Sequence, residues 1–283
     1  MFDTLVETEA LAAHLDDPAW VLFDCRASLA DPEAGPKAYA TSHIPGARHT
    51  HLERELSGPV TPDTGRHPLP DPRSLAVVLG HAGVAAETQI VAYDDMQGAY
   101  AARLWWLARW LGHTQVAVLN GGWQQWLKEE RPVTAALPTP RAQTFPSRDV
   151  PGNAVMSVID VLELVRGRKH GVLLDARATA RFRGDEEPVD PVAGHIPGAV
   201  NLSFAGNIAE DGRFKSPAEL RRRFEQASAG LRSDQVICMC GSGVTACHNL
   251  LAMEAAGLKG ARLYAGSWSE WIRDPTRPVA RGG

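Results

Sequence analysis

The sequence predicts an α/β protein made of two tandem copies of one domain, each a mostly parallel sheet flanked by helices. Three observations carry this prediction. Short apolar runs of strand length, such as Gln89–Tyr93 and Val116–Leu119, alternate with stretches of helical spacing, the pattern of βα units. The same motifs then appear twice in the same order: Val21-Leu22-Phe23-Asp24-Cys25-Arg26-Ala27 matches Val172-Leu173-Leu174-Asp175-Ala176-Arg177-Ala178 at an offset of 151, and His43-Ile44-Pro45-Gly46-Ala47 recurs as His195-Ile196-Pro197-Gly198-Ala199 at 152. Finally, 283 residues suffice for two domains, and 44% apolar with 22% charged residues is a globular composition.

In chain order, Leu11, Ala12 and Leu15 have helical spacing within residues 7–15, and Asp17-Pro18 leads into the strand Val21-Leu22-Phe23-Asp24. A long loop rich in Pro and Gly then reaches Pro72, longer than a simple turn needs and therefore a candidate for function. A helix over 73–79, a strand at Gln89–Tyr93, a helix over 99–111 and a strand at Val116–Leu119 complete the first copy, which ends with Trp123 and Trp126. Trp268 and Trp271 match them at an offset of 145, and Leu220 lies in the helix corresponding to that of Leu75. The domains are expected at 1–136 and 154–283, and the Pro-containing stretch 137–153 reads as an extended linker.

The segment on which chemistry centres is Cys240-Gly241-Ser242-Gly243-Val244-Thr245. It follows the apolar strand Val236–Met239 and precedes a helix expected from about Ala246. Its glycines let the loop turn its N–H groups inward, and the positive end of the next helix points the same way, an environment that favours thiolate over thiol. Cys240 is therefore a candidate nucleophile, the alternative being a packed, inert thiol. At an offset of 145 Cys240 aligns with Asp95 and Gly243 with Gly98, so the first copy keeps the frame without the thiol, and any nucleophilic reaction belongs to the C-terminal copy.

These residues together identify a likeness. The paired His-Ile-Pro-Gly-Ala motifs, the copy without a thiol and the Cys-Gly-Ser-Gly-Val-Thr loop resemble the two-domain rhodanese-like sulfurtransferases over essentially the whole chain. Within that family the loop looks like that of the 3-mercaptopyruvate sulfurtransferases, since thiosulfate sulfurtransferases usually carry basic residues where Gly241 and Ser242 stand. The resemblance implies transfer of sulfane sulfur through a persulfide on Cys240, with a small-molecule donor, a thiol, cyanide or thioredoxin-like acceptor, and no metal or organic cofactor. It also implies that Ser242 helps move a proton to the departing carbon, that His67 and Glu53 face the cysteine from the first copy's long loop, and that Arg181 holds the donor's carboxylate. The family's mercaptopyruvate enzymes often have a second arginine shortly afterwards. Here Asp185-Glu186-Glu187-Pro188-Val189-Asp190 fills that segment, and Arg183 reads as a surface ion pair with Asp185 or Glu187, with replacement of the missing arginine left open.

The nearest alternative is thiosulfate as the donor, with the same persulfide mechanism, and the other readings lie further off. A cysteine phosphatase needs an arginine after five intervening residues, where Ala246 stands, and a longer loop. A non-catalytic sulfur carrier using Cys240 stays open. Cys238, Cys247 and His248 lie on a strand and a helix that need not aim them at one point, so no metal site is expected. Asp24 and Asp175 read as structural groups near Arg26 and Arg177, and Trp105, Trp106 and Trp110 as packing residues. A net charge of −4 with dispersed basic residues argues against nucleic acid, and acidic residues near the N-terminus with no long apolar run argue for a cytoplasmic protein.

Overall fold

The computed structural model describes residues 1–146 and 152–283, so residues 147–151 of the expected linker lie outside the described residues. Contacts divide the chain into two units. The first comprises Met1–Gly58, Leu69–Pro151 and Glu210–Phe214, and the second comprises Pro59–Pro68, Gly152–Ala209 and Lys215–Gly283. The segment Pro59–Pro68, from the long loop of the first copy, is thus part of the unit that carries Cys240.

In the first unit the elements are β1 (Leu5–Val6), α1 (Thr8–Ala12), β2 (Trp20–Asp24), α2 (Ala34–Thr41), β3 (Arg48–His49), α3 (Pro72–His81), β4 (Gln89–Tyr93), α4 (Ala101–Trp110), β5 (Val116–Leu119) and α5 (Gly122–Lys128). The sheet order is β1-β5-β4-β2-β3, with every pairing parallel. Parallel strands covered on both faces must be apolar throughout, and β4 is buried along its whole length. Leu11, Leu22, Val91 and Trp126 form the core beneath. Asp71 caps α3 by accepting the Ser74 N–H at 2.9 Å, and Pro72 occupies its first turn, where a missing N–H does no harm. The stretch expected as a linker packs onto this unit: Gln143 N–H donates to Gly80 O at 2.8 Å, and Phe145 is buried against His113.

The second unit repeats the plan with α6 (Val158–Val165), β6 (Val172–Asp175), α7 (Thr179–Arg183), β7 (Val200–Asn201), α8 (Pro217–Ala227), β8 (Val236–Met239), α9 (Thr245–Ala255), β9 (Arg262–Leu263) and α10 (Ser267–Trp271). Its all-parallel sheet runs β7-β6-β8-β9. Capping boxes Ser157/Asp160 and Ser216/Glu219 start α6 and α8. The α9 helix is apolar on most sides, and residues 246–253 are all buried, so it is held by packing rather than by a polar cap. Among the described residues no helix is long and apolar enough to cross a membrane.

Each copy of His-Ile-Pro-Gly-Ala is a structural brace. His43 Nδ1 bonds Tyr39 O and His195 Nδ1 bonds Phe182 O, both at 2.8 Å, with each imidazole stacked on the ring of the residue it bonds. Gly46 and Gly198 turn the chain at φ +78° and +79°. Asp24 and Asp175, at the ends of β2 and β6, hold Arg26 and Arg177 through buried ion pairs of 2.6 and 2.7 Å. These guanidiniums lie over Trp123 and Trp268, with centroid distances of 4.5 and 4.9 Å.

Candidate active site

The strand β8 ends at Met239 and delivers Cys240 to the carboxyl edge of its sheet, where parallel α/β folds place their ligands. The Cys240 Sγ accepts N–H bonds from Gly243 at 3.1 Å and Ser242 at 3.5 Å, so the loop closes its amides on the sulfur as its glycines suggest. Gly243 takes φ +80°, and Thr245 opens α9 immediately beyond. Three bonds from α10 fix the cysteine and the glycine after it: Cys240 N–H donates to Ser267 Oγ at 3.1 Å, while Trp268 and Ser269 N–H donate to Cys240 O and Gly241 O. Ser267 holds φ +55° to do this, a left-handed position for a residue with a side chain. Only 2% of the Cys240 surface remains exposed, so any molecule that meets the sulfur must enter a nearly closed site.

His67 and Ser242 meet. His67 Nδ1 and Ser242 Oγ are joined by a 2.7 Å hydrogen bond between two buried side chains. The segment Pro59–Pro68 is held to α10 and the turn after it by Arg66 N–H donating to Ser269 Oγ at 3.0 Å and by Arg273 Nε donating to Thr64 O at 3.1 Å. Glu53 belongs to the first unit, where its carboxylate lies 3.0 Å from His51 Nδ1.

Arg181 extends from α7 to Glu187 at 2.7 Å and to Asp190 at 3.1 Å. Arg66, which no motif or periodicity marks in the sequence, pairs with the other oxygen of Asp190. A Cβ built on Gly241 would lie 3.0 Å from Arg66 Nη2 and 3.6 Å from Arg181 Nη1 and Nη2. The loop's own side chains are uncharged, yet two guanidiniums stand beside it. Burial raises the Asp190 carboxyl above the usual aspartate range, against the opposing pull of Arg66 and Arg181. Arg183 pairs with Asp185 at 3.3 Å, both side chains about half exposed.

The sheet registers correct the pairing of Cys240 with Asp95. Tyr93 pairs with Asp24, and Met239 pairs with Asp175, the equivalent of Asp24, so the residue after each is Asp94 in one copy and Cys240 in the other. Trp123 N–H bonds Asp94 O just as Trp268 N–H bonds Cys240 O. The offset changes from 146 at the strand to 145 at Gly98 and Gly243, because the first copy's loop has one more residue. Asp94 fills its own cradle: its carboxylate accepts the N–H groups of Met96, Gly98, Tyr100 and Ala101 at 2.7–2.8 Å.

The remaining cysteines differ from Cys240. Cys238 in β8 and Cys25 just after β2 are both buried, and burial pushes both thiols up and makes them poor nucleophiles. Cys247 points its Sγ at Gly243 O, 3.3 Å away, and His248 faces Asn207. Among the described residues no three His, Cys, Asp or Glu side chains are grouped to hold a metal.

The sequence profile described as "Rhodanese-like domain" matches residues 7–129 and 158–274. A Pseudomonas aeruginosa protein named "Probable 3-mercaptopyruvate sulfurtransferase" is 47% identical over 280 residues, covering 98% of both chains. The rat "Thiosulfate sulfurtransferase" is 34% identical over 295 residues, covering 100% of this chain and 97% of its own. The solved structure of 3-mercaptopyruvate sulfurtransferase from Leishmania major superposes with a TM-score of 0.84 at 29% identity, covering 98% of this chain and 75% of the other.

Proposed function

We infer the activity from one premise: this chain belongs to the rhodanese-like family, as two copies of the domain spanning nearly its whole length. It is a sulfurtransferase that takes the thiol sulfur of 3-mercaptopyruvate, holds it as the sulfane sulfur of a persulfide on Cys240, and passes it to a thiol, cyanide or thioredoxin-like acceptor. One observation carries the assignment of the chemistry. Of the two loop cradles, one closes its amides on the chain's own carboxylate, and the other closes them on a thiol.

The Cys240 thiolate attacks the donor sulfur. The new Sγ–S bond forms as the S–C bond breaks, and its electron pair passes to carbon as the enolate of pyruvate. The proton of the donor thiol ends on that carbon, so pyruvate leaves and an anionic persulfide remains. The amides of Ser242 and Gly243 suit that anion, and we assign the proton to the hydrogen-bonded Ser242–His67 pair. Cyanide or an acceptor thiolate then takes the outer sulfur and restores the Cys240 thiolate. Because sulfur is stored covalently, the cycle calls for no metal or organic cofactor and predicts ping-pong kinetics. We place the activity in the cytoplasm, where unpaired thiols such as the four here stay reduced.

A carbon leaving group needs a proton, whereas sulfite does not, and this favours mercaptopyruvate over thiosulfate. Thiosulfate is the second reading, favoured by the two guanidiniums beside Gly241. Steady-state rates with each donor and cyanide as acceptor test both. Mercaptopyruvate is expected to have the higher kcat/KM, and Cys240→Ala to abolish turnover with either donor. Residual transfer by that variant overturns the mechanism, and a higher kcat/KM for thiosulfate overturns the choice of donor.

A further inference from the structure

Three guanidiniums and three carboxylates form one buried to half-buried cluster next to the cysteine loop: Arg177 on Asp175 and Glu187, Arg181 on Glu187 and Asp190, and Arg66 on Asp190. The formal charges cancel. Asp190 is the hinge of the arrangement, with one oxygen on Arg66 and the other on Arg181. The two arginines it joins are the ones that reach Gly241, Arg66 by its Nη2 and Arg181 by both Nη atoms. The pairing to Asp190 uses Arg66 Nη1, which leaves Nη2 as the edge presented to the loop.

We propose that Arg66 is the second guanidinium of the donor site, that it grips the donor's carboxylate jointly with Arg181, and that Asp190 between them sets the donor charge the site prefers. This deepens the mercaptopyruvate reading and rests on it. The charged group absent from the segment 185–190 is supplied instead from Pro59–Pro68, carried on the same short stretch that brings His67 to Ser242. Two planar forks at one glycine suit the two oxygens of a carboxylate, and Gly241 has no side chain to stand between them and the sulfur. Asp190 and Glu187 already neutralise both arginines, so one added negative charge is tolerated better than two. The site therefore prefers a monoanion over the thiosulfate dianion by charge as well as by shape.

The test uses Arg66→Gln, Arg66→Lys and Asp190→Asn in the full chain, with thermal melting as a control on folding. Arg66→Gln is expected to raise KM for mercaptopyruvate at least about tenfold while kcat stays within a few-fold, the loss of a charge-assisted bond. Arg66→Lys keeps the charge but loses the fork, and should fall between Gln and wild type. Asp190→Asn leaves the cluster one charge more positive and should raise the ratio of kcat/KM for thiosulfate to that for mercaptopyruvate by about tenfold. A second readout separates this inference from the activity itself: pyruvate binding to Cys240→Ala by calorimetry, with and without Arg66→Gln. Weaker pyruvate binding in the double variant supports the role of Arg66 even if mercaptopyruvate proves not to be the donor. Unchanged KM and unchanged pyruvate affinity in folded Arg66→Gln overturn it, and if Arg66→Gln does not fold, wild-type values for Arg66→Lys do the same. An unchanged donor ratio in Asp190→Asn overturns the role of Asp190.

Discussion

The two glycines of the cysteine loop should respond in opposite ways to the same added methyl group. At Gly243 the backbone sits at φ +80°, where a residue with a Cβ costs about 1–2 kcal/mol. The new Cβ would also run into Ala265 O and lie 3.0 Å from the Ala265 carbonyl carbon and Cα, which are backbone atoms. That stretch cannot swing aside cheaply, because Tyr264 N–H is tied to Cys238 O and Ser267 Oγ to Tyr264 O. Strain and overlap together place the loss for Gly243→Ala at about 2 kcal/mol or more, so melting should fall by about 4–8 °C or more. The same shift moves the amide that bonds Sγ at 3.1 Å, and turnover should fall with stability. At Gly241 the backbone is not left-handed, and the new Cβ meets only the tips of two arginine side chains. Gly241→Ala should therefore melt within about 1–2 °C of wild type while raising the donor KM, since the guanidiniums must yield. Calorimetric melting of both variants, with donor kinetics on each, decides the matter. If Gly243→Ala melts with wild type, or Gly241→Ala is the less stable of the two, the reasoning about the loop is wrong.

Ser242→Ala should slow turnover of mercaptopyruvate by about a hundredfold, the usual worth of a positioned proton carrier, and slow that of thiosulfate much less, which parallel donor assays would show. In the first unit, Asp94→Asn places amide hydrogens among four N–H donors and should cost about 3 kcal/mol, read as a lower urea midpoint. Glu129, although desolvation works against it, is held down to about 2 by hydrogen bonds from Thr8, Gln125 and Arg131. Because its folded value lies below its ordinary 4.5, its contribution is present above pH 4.5 and lost as pH falls toward 2. Urea titrations should show Glu129→Gln less stable than wild type by about 1–2 kcal/mol at pH 7, and the gap closing with acid.

The repeated strand and turn motifs made both sheets legible, because a strand buried on two faces must be largely apolar, and β2, β4, β5, β6 and β8 are apolar apart from Asp24, Gln89 and Asp175 at strand ends. Cys240, Ser242 and the turning glycine Gly243 were legible for a similar reason, since a strand, a glycine loop and a helix in sequence dictate a cradle. Arg66, Asp190 and Ser267 were not. Their roles arise from pairings between residues as far apart as 66 and 190 or 240 and 267, and none has a periodic or compositional mark. Ser267 did carry one faint signal. It matches Gly122 in the first copy at the offset of 145, and Gly122 holds φ +57°, so a serine in a position suited to glycine pointed to a side chain kept for its hydroxyl. The counterpart of Cys240 was set one residue off, at Asp95 instead of Asp94, because a constant offset cannot follow a loop that gains a residue, whereas strand pairing can.

That single residue also explains why the two cradles hold different groups. Asp94 has two oxygens, each accepting two N–H bonds, and the first copy's longer loop spreads four amides to meet them. Cys240 has one sulfur on a shorter arm, and the second copy's loop, one residue shorter, closes two amides on it. A ring this tight accommodates one soft anion at a time. Extending the thiolate by one sulfur keeps the charge single and adds only that atom, whereas a phosphoryl group would bring several oxygens and at least one more charge. A cysteine phosphatase meets that demand with an arginine after the loop, but Ala246 is buried in α9 and offers no charge. The charge here stands at Gly241 instead, on Arg66 and Arg181, and is already balanced by Asp190 and Glu187. Loop length and charge balance therefore argue independently for the proposed chemistry: a single sulfur added to the cysteine and a single negative charge on the donor that delivers it.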